Sequence, residues 1–182
     1  MSGAGRIATI ADMPSRAASH VPRDTPSRLR EGDIRFAGYA SVFDRVDRGG
    51  DVVRRGAFVA SLAAGRVVPL LWQHRAGAVI GTIETLAEDR RGLRVVARVT
   101  HPTAASLVAR GALTGLSFGY RVTAARGSHP RELLGLDLAE VSLVAAPMQA
   151  LARIIATEIV AAGNRPSPNP SRLREGSLLV KE

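Results

Sequence analysis

Apolar residues in the middle of the chain recur mainly at every second position, which is the period of a half-buried β-strand. The clearest example runs from Leu93 to Val99, where the apolar residues are separated by Arg94 and Arg98. The same reasoning predicts five further strands, at Ile34–Phe43, Val67–Gln73, Val79–Leu86, Leu113–Thr123 and Leu133–Ala145. The middle of the chain is therefore predicted to be mostly β-structure.

Three shorter stretches show the spacing of helices instead. Residues 54–64 place Phe58 and Leu62 four positions apart, and residues 103–110 lie between Pro102 and Gly111, which favour a helix start and a helix end. Residues 148–162 carry a stripe of apolar residues at helical spacing. With no regular alternation of strand and helix, the pattern predicts a mostly β (α+β) fold, an antiparallel β-barrel or sheet with surrounding helices.

Both ends of the chain lack this pattern. Residues 1–33 are rich in Ser, Pro, Ala and Arg and are predicted to be a disordered leader; residues 163–182 are predicted to be a flexible tail, leaving 34–162 as the folded domain. The heptapeptide PSRLREG occurs in both, at Pro26–Gly32 and Pro170–Gly176. It is either a recognition peptide offered on both flanks or a repeated DNA element read in frame.

Composition narrows the classes of function. The chain contains no cysteine, which excludes disulfides, thiolate metal sites and a cysteine nucleophile. The net charge of +9 would suit a polyanion, yet the arginines are scattered and only seven aromatic residues are present. Nucleic acid is therefore an unfavoured partner. Neither a secretory signal nor an apolar run long enough to span a bilayer is evident, so a cytoplasmic protein without a membrane partner is expected.

Of the four histidines, His74 has the most suggestive position. It ends the apolar strand PLLWQH and precedes a turn. A histidine held at a strand end beside Trp72 could serve as a general base. A packed histidine at a sheet edge would give the same pattern, and spacing alone does not decide between the two.

A serine lies between two glycines in the segment GLSFGY. On a strand, Leu116, Phe118 and Tyr120 share one face and Ser117 lies on the other, flanked by Gly115 and Gly119. Glycines beside a serine clear space around its hydroxyl, and nearby peptide N–H groups could bind an oxyanion. A bend where glycines relieve crowding is the competing interpretation.

An acidic residue interrupts the apolar segment LDLAEVSLVAAP. By strict alternation, Glu140 shares a face with Leu136, Leu138 and Val144. A carboxylate in such a place needs a partner. A histidine N–H would suit a catalytic role, whereas an arginine would indicate a structural ion pair. Asp137 is the competing acid.

Four motifs, in this order, resemble the phage prohead protease family of the HK97 type. They are VFDRVDRGGDVVRRGAFVASL, VPLLWQH, RGALTGLSFGY and DLAEVSLVAAPM, and the resemblance covers roughly Phe36 to Arg153. It implies a serine endopeptidase with a fold similar to the herpesvirus assembly proteases. It further implies that His74 and Ser117 are the catalytic pair and Glu140 the third member. Two departures, Arg75 after the histidine and the turn at 146–149, bear on substrate fit.

The resemblance also implies partners and a place of action. Expected substrates are the major capsid protein precursor and scaffold, with self-cleavage and a possible homo-oligomer. The expected location is the assembling prohead in the cytoplasm of a bacterial host, and neither metal nor organic cofactor is expected. His74 and Ser117 are expected within hydrogen-bond reach on adjacent strands. The alternative is a catalytically silent scaffold or capsid-assembly module of the same fold.

Overall fold

The computed structural model describes residues 32–160, which form one mixed sheet with two short helices. The strands are β1 (Asp33–Val42), β2 (Asp51–Val53), β3 (Leu70–Trp72), β4 (Val79–Glu88), β5 (Gly92–Val99), β6 (Gly115–Arg126), β7 (Arg131–Val144) and β8 (Ile154–Val160). The helices are α1 (Val59–Ala63) and α2 (Pro102–Ala109). The predicted mostly β fold is confirmed. The leader and tail, apart from Gly32 and Asp33, lie outside the described residues, and none of the described helices could span a membrane.

The alternating segment from Leu93 to Val99 forms the centre of the sheet, as its pattern predicts. β5 pairs antiparallel with β1 on one side and with β4 on the other. Its apolar face belongs to the main hydrophobic core, which also receives large buried side chains of the other strands, Phe58 just before α1, and the buried residues of α2. Burial of apolar surface on this scale is the main stabilising contribution to the fold. These core residues include Phe36, Phe58, Leu70, Leu93, Leu116, Leu133, Val141 and Leu143.

The prediction of a helix over residues 148–162 is wrong. Residues 154–160 form β8, which pairs antiparallel with β1, and Ala156 is buried against it. β-Branched residues at 154, 155, 157, 159 and 160 favour a strand, and the unpaired edge of β1 offers them backbone partners. The preceding turn is held by Gln149, whose side chain accepts from the Val42 N–H at 2.6 Å and donates to the Val42 carbonyl at 2.9 Å.

The prediction of a purely antiparallel sheet also needs correction. β7 pairs in parallel with β2 and with β3, and antiparallel with β6. The paired strands run in the order β2-β7-β3-β4-β5-β1-β8, with β6 beside β7, and they do not close into a ring. An isolated bridge between Gly115 and Arg153 links the start of β6 to the residue before β8. The closed barrel therefore stays a prediction.

Candidate active site

The candidate site is built around the end of β7, which lies between β3 and β6. Ser142 on β7 pairs with Ser117 on β6, and on its other side with Leu71 on β3. His74 follows β3 directly. Directly opposite residues of antiparallel strands point to the same face, with Cβ atoms about 4.5–5.5 Å apart. The fold thus brings together three segments that span 68 residues of sequence, from His74 to Ser142.

His74 lies in a turn whose backbone conformation is unusual. Gln73 and His74 have positive φ angles of 50° and 59°, a region that non-glycine residues rarely occupy. Such a conformation costs on the order of 1 kcal/mol per residue and persists where neighbours hold it. Here the Gln73 N–H donates to the Leu143 carbonyl at 3.0 Å, and the His74 N–H donates to Ser142 Oγ at 3.1 Å. β7 therefore fixes the direction in which the imidazole projects.

Glu140 does not share the face of Leu136 and Leu138, contrary to strict alternation. Gly119 pairs with Glu140, whereas the next residue of β6, Tyr120, pairs with Leu138. Ala139 is therefore an extra residue in β7, and such a bulge turns every later side chain to the opposite face. Beyond it, Val141 and Leu143 are buried in the core. Glu140 consequently lies on the outer face with Ser142.

The carboxylate of Glu140 joins His74 to Ser142. His74 Nδ1 lies 2.7 Å from Glu140 Oε1, and Ser142 Oγ donates to Glu140 Oε2 at 2.5 Å. Since a carboxylate only accepts, the Nδ1 must carry the proton, which leaves Nε2 as the acceptor of a neutral ring. The His74 side chain is 45% exposed and that of Glu140 is 12% exposed. The imidazole is thus held by Glu140 through Nδ1, while its other nitrogen, Nε2, belongs to the exposed part of the side chain.

Ser117 lies on the same face, on the far side of β7 from His74. Its neighbours in sequence behave as predicted, since Leu116 is buried and Phe118 packs edge-on against Phe58 at 5.2 Å between ring centres. Ser117 itself is 8% exposed and lines a narrow pocket with Met148 and Gln149. Ser117 lies on β6 and His74 follows β3, and β7 lies between these two strands. The expectation that His74 and Ser117 lie on adjacent strands is therefore wrong. The described residues contain no hydrogen bond between Ser117 Oγ and the His74 ring.

The space left by the two glycines is filled by the protein itself. A Cβ atom at Gly119 would come within 2.5 Å of Glu140 Oε1, and one at Gly115 within 2.3 Å of the Val144 carbonyl and 2.9 Å of Pro147. Gly119 thus provides the room in which the Glu140 carboxylate lies. The part of these glycines in binding an oxyanion stays a prediction.

The competing interpretations of the two ionisable residues can now be compared with the geometry. In the described residues Glu140 forms its ion pair with His74 rather than with an arginine. Asp137 instead pairs with Arg66 and lies 3.5 Å from Ser61 Oγ. His74 is too exposed to be a packed edge histidine.

A second group of charges lies at the narrow pocket, whose lining includes Asp51. Arg131 forms hydrogen bonds from Nε and one terminal nitrogen to the two oxygens of Asp51, and these bonds lower the pKa of the Asp51 carboxyl. Burial, together with the negative charge of Asp51, raises the pKa of the Tyr120 hydroxyl. Asp51 is therefore a carboxylate held by Arg131, and it lines the same pocket as Ser117.

Sequence reasoning missed Ser142, which is fully buried and bonded to both other members of the cluster. The spacing Glu140-Val141-Ser142 contains a usable signal, because residues two apart on a strand share a face. What the spacing does not contain is the parallel pairing of β3 with β7, which brings the His74 N–H to the serine hydroxyl.

Comparison with known proteins places this chain in a family. The chain is 39% identical over 94 residues to the prohead protease of Enterobacteria phage HK97; this covers 48% of the chain and 42% of that protein, so the match spans less than half the relative's length. Two herpesvirus proteases, from KSHV with a hexapeptide phosphonate inhibitor and from varicella-zoster virus, are 14% identical with TM-scores of 0.45 and 0.44. Those overlaps cover 67% of this chain and 64% and 63% of the two structures.

Similarity to the herpesvirus enzymes at this level says nothing about the site, and the family assignment does not depend on it. The sequence profile of the caudovirus prohead serine proteases matches residues 22–164, most of the chain and every described residue. This protein therefore belongs to the caudovirus prohead serine protease family.

Proposed function

We propose that the chain is a serine endopeptidase in which Ser117 is the nucleophile, His74 the general base and Glu140 the residue that orients the base. The observation that carries the proposal is the hydrogen bond between His74 Nδ1 and Glu140 Oε1, formed on the face of the sheet that also presents Ser117. A base oriented by a carboxylate near a serine is the arrangement that nucleophilic acyl transfer requires.

The reaction would proceed in two halves. His74 Nε2 takes the proton of Ser117 Oγ as the oxygen attacks a peptide carbonyl, and the Glu140 carboxylate stabilises the imidazolium that forms. The imidazolium then gives its proton to the leaving amine, which leaves an acyl group on Ser117. Water, deprotonated by the same histidine, releases the acyl group. These steps use side chains alone, with neither metal nor organic cofactor.

The separation between His74 and Ser117 is compatible with this mechanism. Catalytic hydrogen bonds are often long without substrate and shorten in the productive complex. The exposed His74 side chain lies in a turn, where a small shift can bring Nε2 closer to Ser117 while Nδ1 stays bonded to Glu140, whereas Ser117 is fixed within a strand. We propose that a substrate, or a small active-site reagent that takes its place over β7, brings the ring to the serine.

We further propose that the substrates are capsid-assembly proteins, namely the major capsid protein precursor and scaffold, cleaved in the prohead in the host cytoplasm. The support is the family, together with the name of the HK97 relative. A closed barrel and a homo-oligomer belong to the same proposal. A catalytically silent assembly module of this fold is the alternative outcome of the experiment below.

Co-expression with the proposed substrate, the major capsid protein precursor, tests the proposal. We expect the precursor to be shortened by the native chain and to stay intact with Ser117→Ala, with the product mass measured on purified capsid protein. Shortening by the Ser117→Ala chain would instead support the silent module, with another protease responsible.

Self-cleavage is expected in residues 1–33 or 163–182. A protease takes its substrate as an extended strand, and these segments lack a core-forming pattern in the sequence. Intact mass spectrometry should show terminal fragments lost from the native chain and retained in Ser117→Ala. Matching cuts in both copies of PSRLREG would make the repeat a recognition peptide. Intact termini in a preparation that cleaves capsid precursor would contradict the prediction.

Gly119→Ala should separate activity from stability. The new methyl group must push the Glu140 carboxylate away from His74, so peptide cleavage should fall by about tenfold or more. The free energy of unfolding should change by no more than about 1 kcal/mol, because alanine loses less backbone entropy than glycine and this offsets part of the hydrogen bonding that the displaced carboxylate loses. In the matched variant Gly115→Ala, the methyl group meets a backbone carbonyl instead, and stability should fall. Full activity in Gly119→Ala would contradict the proposed role of Glu140.

A further inference from the structure

The cluster contains one polar group to which the proposed mechanism gives no part. Ser142 is completely buried, although a serine hydroxyl is usually placed where water can reach it. Its hydroxyl accepts the His74 N–H at 3.1 Å and donates to Glu140 Oε2 at 2.5 Å. A single hydroxyl thus binds the backbone of the base and the side chain of the acid.

We propose that Ser142 is a positioning residue, which holds Glu140 and His74 in one fixed geometry so that Nδ1 keeps its proton and Nε2 points outward. This inference rests on the proposed function and extends it.

Ser142 fixes the orientation of the Glu140 carboxylate. Glu140 has three rotatable side-chain bonds, and burial leaves it only 12% exposed. With Oε2 bound by Ser142, the other oxygen is left facing His74 Nδ1 at 2.7 Å. Charge-assisted hydrogen bonds of this length strongly fix direction. Without the serine, the carboxylate could rotate and one of its buried oxygens would lose its partner.

Ser142 also holds the backbone of His74, the proposed base. His74 has a φ of 59°, which is unfavourable for a residue with a Cβ atom. The neighbouring Gln73 is held by β7 through Leu143, and its side-chain oxygen accepts the Ala145 N–H at 3.3 Å. The His74 N–H itself is held by Ser142. Ser142 is therefore the one side chain among the described residues bonded to the backbone and, through Glu140, to the ring of His74.

The chain offers a chemically matched control. Ser61 also accepts a β7 backbone N–H, that of Leu138 at 2.9 Å, and also lies against a carboxylate, that of Asp137 at 3.5 Å. The Ser61 hydroxyl thus makes the same two kinds of contact as Ser142, away from His74. Removing either hydroxyl, that of Ser61 or that of Ser142, removes a hydrogen bond involving β7. Only the loss of the Ser142 hydroxyl affects the proposed base, His74.

The test measures the rate at which a fluorophosphonate modifies Ser117. In that reaction Oγ attacks phosphorus, fluoride leaves and the proton passes to His74, so the rate reports activation of the serine without a peptide substrate. We expect Ser142→Ala to lower the second-order rate constant about 10- to 100-fold, and Ser61→Ala to leave it within about twofold. Ser142→Thr, which keeps the hydroxyl, should recover most of the rate.

A spectroscopic measurement distinguishes positioning from general loosening. Nitrogen-15 spectra of the imidazole should show His74 as the Nδ1–H tautomer in the native chain and in Ser61→Ala, and a mixture of tautomers in Ser142→Ala. If Ser142→Ala fails to fold, Ser142→Cys, which has similar volume and a weakly bonding thiol, takes its place with the same expected loss.

Three results would overturn the inference. The first is a rate constant for fluorophosphonate modification in folded Ser142→Ala or Ser142→Cys that equals that of the native chain. The second is an equal loss of that rate constant in Ser61→Ala. The third is a His74 tautomer that is unchanged in Ser142→Ala. Failure of the proposed function gives a different result, because the native chain would then react no faster than Ser117→Ala.

Discussion

Replacing Glu140 by glutamine should lower the turnover number for peptide cleavage by about 10²- to 10⁴-fold. Glutamine preserves the shape of the side chain, but it removes the negative charge that stabilises the His74 imidazolium. Its NH₂ group can also face Nδ1 and force the proton to Nε2, where it blocks attack by Ser117. The melting temperature should change by no more than about 3 °C, because the substitution leaves packing intact.

Asp137→Asn is the matched control for this result. Asp137 lies on the same strand and is also in contact with a serine, but its ion pair is with Arg66. We expect this variant to lose some stability and to keep its turnover. The opposite outcome, with Asp137→Asn inactive and Glu140→Gln active, would make Asp137 the catalytic acid. The pair should be measured with one peptide and one buffer.

Replacing His74 by alanine should lower turnover by about 10⁴-fold or more, since the proposed mechanism then has no general base to take the proton of Ser117. The missing ring is a surface group, 45% exposed and bonded to Glu140 on one side. Its removal leaves an accessible space beside a carboxylate, so added imidazole should restore part of the activity in a concentration-dependent manner.

Two comparisons make the rescue specific. Ser117→Ala should gain nothing from imidazole, because the base is still present and the nucleophile is not. His101→Ala should lose stability, by about 1 kcal/mol, because His101 caps the first turn of α2 through the Ala104 N–H. If His101→Ala were folded but inactive, a second catalytic histidine would have to be considered and the role of Glu140 would weaken.

The strands with strict alternation could be predicted from the sequence because their burial is local in origin. Leu93, Val95, Ala97 and Val99 all lie in the core, as their spacing predicts. The predicted helix over residues 148–162 was wrong because the isoleucines at 154, 155 and 159 fit a helical stripe as well as a strand. The edge of β1, more than 100 residues earlier in the chain, decides between the two, and no local pattern contains that information.

The sequence motifs indicate candidate residues for the site but not the geometry in which the fold arranges them. The motifs indicate His74, Ser117 and Glu140, and two of these are directly bonded. The face of Glu140 could not be derived, because one extra residue at Ala139 reverses the alternation. The left-handed conformation of His74 could not be derived either. It depends on the parallel strand pair and on the hydrogen bond between His74 and Ser142, which are 68 residues apart.

The central claim, that Ser117 is an activated nucleophile, is tested most directly by mapping the site of fluorophosphonate attachment. The native chain is incubated with the reagent, digested, and analysed by mass spectrometry, with Ser117→Ala and His74→Ala treated alongside. The account predicts one stoichiometric adduct, on Ser117 in the native chain, with none in the first variant and little in the second. An unmodified native chain, or an adduct on any other serine that survives Ser117→Ala, would contradict it.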